Sequence, residues 1–289
     1  MSPHRLDFAL PRFARCCWAS EPARLRWQPT VVRLAERTRE MEWRSVAAGL
    51  RAVAILDAAP GEASTLRQAA TEAGLVLRHL SPRPGVLPGF QNPVIIGHAD
   101  TWLSAIHAWE TDDAAAALAA LGAAPCCASA QAERLQAGWR DTTFPAMQGD
   151  DGPAGPNRLA APLGLYALPF SPCGPGCAAA ARLADDWLAM GRALGWREDF
   201  ETLETLLDWP MGYSALHGIA ELRTPVFKLT SNTDATADKL ALRRAGRTFP
   251  EDAGSGLGFP YVPPARRRVT GTAAWQRGLD NPLDQDGRS

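Results

Sequence analysis

The residues of this chain best suited to chemistry are its six cysteines, which fall into three pairs: Cys16-Cys17, Cys126-Cys127 and Cys173-Gly-Pro-Gly-Cys177. The last two pairs stand at signals for the start of a helix. A cysteine placed there faces unpaired backbone N–H groups and the positive end of the macrodipole, which favours the thiolate needed for metal binding or nucleophilic attack. If the two turns meet, Cys126, Cys127, Cys173 and Cys177 supply enough thiolates for an iron–sulfur cluster or a tetrahedral zinc. A vicinal disulfide needs strained geometry, so Cys126-Cys127 is better placed to send its thiols to a shared third object. Ala180 stands where a radical-SAM pattern needs a further cysteine, which excludes that reading. The bland alternative is that these are small buried hydrophobes. Cys16-Cys17 precedes the expected core and lacks a capping pattern, so it carries no such expectation.

A second set of candidates lies downstream. His217 precedes Glu221 by four residues, but Gly218 and Arg223-Thr-Pro225 argue against a helix, leaving a turn histidine beside a strand carboxylate. Such a pair suits general acid/base work, and packing or capping of a turn is the competing reading. Lys228, Asp234, Lys239 and Arg243-Arg244 flank a Ser/Thr-rich stretch that suits a phosphate or carboxylate ligand. Lys228 and Asp234 would orient a small polar substrate. A capped amphipathic helix with a solvated basic face explains the same residues. Gly254-Ser-Gly-Leu-Gly258 has the look of a dinucleotide loop, but no strand feeds it and Phe259-Pro260 ends any helix at once.

The elements that must position these groups follow from apolar spacing and from Gly and Pro punctuation. Residues 1–28 read as irregular, and a helix follows over 29–49. Strand 51–56, a helix from Ser64 to Gly74 and strand 75–80 form a strand–helix–strand unit, with a further buried strand at 94–97. Residues 101–139 read as two or three helices, the last starting at Cys126 or Cys127 behind Pro125. A surface loop over 142–162, a strand over 165–170 and a helix over 177–195 come next. A short helix at 203–208, strands at 218–223 and 226–230, and a helix capped by Asp234 and ending near Gly246 complete the pattern. Strands alternating with helices predict an α/β fold, a mainly parallel sheet with flanking helices in a Rossmann-like three-layer arrangement. Residues 29–265 form one α/β domain on this reading, with a subdomain boundary near 142–162, and residues 266–289 are a disordered tail.

Composition narrows the classes. Thirty basic and 31 acidic residues leave a net charge of -1, and 46% of residues are hydrophobic. Nothing in that balance calls for nucleic acid or an anionic membrane as partner, and a small molecule is the expected one. The start lacks a secretory pattern and no window of about 18 apolar residues occurs. A cytoplasmic location is expected, where clustered cysteines bind metal or do redox or catalytic work.

The chain resembles a prokaryotic family in which a Leu-Gly-Tyr-Pro-x-Cys-Cys segment is followed by Pro-Cys-Ser-x-x-Cys. The matching segments are Leu121-Gly-Ala-Ala-Pro-Cys-Cys127 and Pro172-Cys-Gly-Pro-Gly-Cys177, within a likeness over residues 30–195. Ala123 replaces the aromatic residue, Pro125 lies one place later, and Gly174 replaces Ser. The resemblance implies a shared role for the four cysteines and brings no activity with it. A looser analogy of site construction is to the iron–sulfur epoxyqueuosine reductases. Together these readings describe a cysteine-ligated metalloprotein, an iron–sulfur or other thiolate–metal oxidoreductase acting on a small polar substrate. A metal-free thiol enzyme and a non-catalytic zinc or structural module are the alternatives.

Overall fold

The computed structural model describes residues 4–59, 61–83, 90–149 and 152–250. In chain order the elements are β1 (Ala14–Trp18), α1 (Glu21–Ala47), β2 (Val53–Asp57), α2 (Glu62–Glu72), β3 (Val76–His79) and β4 (Pro93–Gly97). There follow α3 (Trp102–Glu110), α4 (Ala114–Ala120), α5 (Pro125–Gln136), α6 (Thr143–Met147), α7 (Ala178–Gly191) and α8 (Arg197–Leu207). The chain then runs through β5 (Met211–Leu216), β6 (Ile219–Arg223), β7 (Phe227–Asn232) and β8 (Leu240–Arg244). Two compact units result: Arg33–Leu207 is one, and the described residues of Met1–Val32 and Asp208–Ser289 form the other. The 142–162 segment, expected as a subdomain boundary, lies inside the first of these.

The expected parallel Rossmann-like sheet is overturned. Every named strand pair among the described residues is antiparallel, in a five-stranded sheet of order β1-β7-β6-β5-β8 and a three-stranded sheet of order β2-β4-β3. The cause is local. β2, α2 and β3 do form a strand–helix–strand unit whose strands share a direction, but β4 inserts between them and runs against both. Strand–helix alternation reads the same for this split arrangement as for a parallel sheet, because the pattern does not say which strands are neighbours. β4 is buried along its whole length. Its Val94 and Ile96 join Ala54 and Leu56 of β2, Trp43 and Val46 of α1, and Ala70 of α2 in one core cluster.

The five-stranded sheet forms the other unit's frame. β7 alternates buried and half-buried residues as a one-sided sheet demands; Trp27 and Trp209 meet edge to face, and Trp209 packs tilted against Phe227 of β7. Residues expected to be irregular at 1–28 contain β1 and the first turns of α1. No helix spans 234–246; that segment leads into β8, which pairs with β5, so Asp234 is buried without a helix to cap. The Ala, Leu and Arg residues of Leu240–Arg244 favour a helix in isolation, and sheet pairing overrides them. Leu165, Ala167, Leu168 and Phe170 are buried as expected of a strand, yet this stretch is irregular. Segment 142–162 is not a surface loop: it contains α6, and Gly152, Gly155 and Asn157 are buried. Gly254–Gly258 and the tail at 266–289 lie outside the described residues.

Candidate metal centre

The first pair of cysteines is set by a sharp stop and restart of helix. α4 ends with Gly122 at φ 91°, and the N–H groups of Gly122 and Ala123 donate to the carbonyls of Ala119 and Leu118. This crossed pair of bonds closes the helix, and it needs a residue without Cβ strain at the left-handed position. Three residues after Gly122, Pro125 opens α5 at its first position, where a missing N–H costs nothing. Cys126 and Cys127 therefore sit in the first turn of α5.

The second pair comes from the segment leading into α7, with Cys177 immediately before the helix. α5 holds this segment through side chains on the same face as Cys127. Gln131 accepts a hydrogen bond from the Ser171 N–H at 2.7 Å, and the two terminal nitrogens of Arg134 donate to the carbonyls of Pro172 and Cys173 at 2.7 Å each. Thr142 Oγ1 donates to Ser171 Oγ at 2.8 Å. From the other side Gly152 lies so close that a Cβ there would stand 1.8 Å from the Pro175 carbonyl oxygen.

These contacts bring the four sulfurs of Cys126, Cys127, Cys173 and Cys177 within 4.8 Å of one another. Cys126 Sγ lies 3.9 Å from both Cys127 Sγ and Cys177 Sγ, and Cys127 Sγ lies 3.6 Å from Cys177 Sγ. A tetrahedral ion with metal–sulfur bonds near 2.3 Å separates its sulfurs by about 3.8 Å. The donor set thus fits a single thiophilic ion. Cys127 is fully buried, Cys173 and Cys177 are half-buried, and Cys126 is exposed.

Electrostatics divide the thiols. Burial and the neighbouring sulfurs push Cys127 well above the ordinary thiol range, against the backbone N–H of Cys173. Burial likewise raises Cys173. Burial also opposes ionisation of Cys177, but the Ala180 N–H in the first turn of α7 and the three other thiols outweigh it and bring Cys177 down to about 7. Without an ion, four thiols this close cannot all ionise; a cation among them reverses that. Arg134, half-buried, adds positive charge beside Cys173 and Cys127.

The remaining candidates belong to the other unit. His217 is exposed and, with Gly218, forms the two-residue turn between β5 and β6, at φ 51° and 83°. Positive φ at both positions marks a type I′ hairpin turn. Glu221 bonds to Lys228 at 3.0 Å and to Arg223 at 3.2 Å. Burial raises its carboxyl and these two cations outweigh that, holding it below the ordinary range. Asp234 is buried near the end of β7. The acid/base pair expected from spacing is thus a turn residue and an ion-paired strand residue, and the four cysteines sit in the unit that contains neither. Cys16 and Cys17 lie on β1 opposite Leu229 and Lys228, and burial first, then Cys17, pushes Cys16 up to about 12.

Gln131 and Arg134 were not singled out in the sequence, although Cys127, Gln131 and Arg134 recur at i, i+4 and i+7, one face of a helix. Comparison with family models, curated proteins and solved structures finds no match for this chain. Among the described residues, no helix is long and apolar enough to cross a membrane.

Proposed function

We propose that this protein is a tetrathiolate metalloprotein that binds one divalent ion, zinc, between Cys126, Cys127, Cys173 and Cys177. The observation that carries the reading is the mutual approach of the four sulfurs within 4.8 Å. Thiolate sulfur selects zinc or iron over hard cations, and a single tetrahedral ion matches the spacing. An iron–sulfur cluster places several irons and bridging sulfides between its thiolates and needs them spread more widely, which speaks against it. Two helix N-termini and Arg134 offset the net charge of about −2 that four thiolates leave on a divalent ion. Bound there, the ion ties the α5 start to the α7 start and stabilises the unit by its binding free energy.

A metal-free thiol pair is the second reading, favoured by the 3.6 Å approach of Cys127 and Cys177 and by the lowered pKa of Cys177. Metal and acid-labile sulfide content of the full chain, purified without oxygen, separates the readings. One zinc per chain, lost in Cys127→Ser and in Cys173→Ser, supports the proposal. Iron with sulfide replaces it by a cluster, and a chain free of metal that takes up neither zinc nor cobalt overturns it in favour of thiol chemistry.

A further inference from the structure

Given the metal centre proposed above, we infer that its four ligands are unequal and that Cys126 is an exchangeable arm whose place an exogenous thiol takes. The other three cysteines are less exposed. Cys127 is wholly buried. Cys173 is fixed through its own carbonyl and that of Pro172, both held by Arg134. Cys177 is half-buried immediately before α7. Cys126 is the exposed member, and its sulfur lies 3.9 Å from those of Cys127 and Cys177.

The thiolate ligand that solvent reaches most is the one an incoming donor displaces first, because access governs exchange at sulfur. The incoming class follows from charge and softness. Three thiolates remain on the ion, so a fourth thiolate restores the same donor set and the same net charge, whereas water leaves a harder donor there. The exchange balances without an oxidant. The bond from the ion to Cys126 sulfur breaks, a bond to the incoming sulfur forms, and the proton of the incoming thiol passes to Cys126 sulfur. The centre then presents a foreign thiol as a thiolate at its surface.

The test uses the full chain without oxygen. In the zinc-loaded protein, iodoacetamide is expected to alkylate Cys126 at least about tenfold faster than Cys127, Cys173 or Cys177, read by mass spectrometry of peptides. Cobalt-loaded Cys126→Ala is expected to keep its metal and to regain the four-thiolate visible spectrum on titration with 2-mercaptoethanol, while Cys127→Ala loses the metal. Equal alkylation of all four cysteines overturns the inference, as does a Cys126→Ala chain that loses cobalt as completely as Cys127→Ala while keeping its circular dichroism. A wild-type chain that binds neither zinc nor cobalt removes the metal reading itself, and the exchange with it.

Discussion

The guanidinium of Arg134 donates to the backbone carbonyl of Cys173 at 2.7 Å, so a residue two turns beyond the first cysteine pair fixes the segment that carries the second. Because the same guanidinium also takes the Pro172 carbonyl, it aligns two successive peptide groups, which a planar fork does and an ammonium does not. Arg134→Ala is expected to weaken zinc binding by about 10- to 100-fold, as loss of an outer partner of a ligand does. Arg134→Lys should fall between. Competition with a chromophoric chelator measures both, and an unchanged affinity in Arg134→Ala removes this residue from the site.

Gly152 permits the close approach of segment 152–157 to Pro175, between Cys173 and Cys177. A methyl group at this position would meet backbone, 1.8 Å from a carbonyl oxygen, where no side chain can swing aside. Gly152→Ala is expected to destabilise the protein by about 3 kcal/mol or more, as backbone clashes in packed regions do. Thermal melts report the loss, and chelator competition should show weaker zinc retention.

His217 tests the turn reading against an acid/base role. His217→Asn suits positive φ and should leave stability within about 0.5 kcal/mol, whereas the β-branched His217→Val should cost about 1 to 2 kcal/mol. Neither change should alter metal content. A stability unchanged by valine would show that the turn does not depend on this conformation.

Glu221 carries a pH dependence whose sign is fixed by its lowered pKa. The ionised carboxylate stabilises the folded chain above the unfolded value near 4.5, and that contribution is lost as pH falls through the lower folded value. Glu221→Gln should therefore show a shallower loss of stability in this acid window and little change between Glu and Gln below it. Denaturant melts across the acid range measure the difference.

Arg51 and Glu42 form a buried ion pair, each side chain 2% exposed, with Arg51 also donating to Ser45 Oγ at 2.7 Å. Removing one partner leaves the other charge unpaired in the core. Glu42→Gln or Arg51→Met should each cost about 3 to 5 kcal/mol, with the double replacement costing less than the two added. A double-mutant cycle by denaturant melts checks this.

The cysteine pairs, the proline that starts α5 and the glycine that stops α4 were all legible in the sequence, because each acts through contacts a few residues away. Helices α2 to α5 and α7 and strands β2 to β4, β6 and β7 were legible for the same reason. Strand order was not, since β4 reaches its place between β2 and β3 only through pairing that local pattern does not encode. β8 was hidden because pairing with β5 overrides the helix preference of its residues. His217 and Glu221 shared a plausible spacing, yet a two-residue turn separates their roles. The convergence of Cys126, Cys127, Cys173 and Cys177 was a matter for tertiary structure alone. It depends on Gln131 and Arg134 reaching across to Ser171, Pro172 and Cys173, and on Gly152 pressing from the other side. Residue types fix which atoms can bind a soft metal; the distances among them are set by contacts between segments about 40 residues apart in the chain.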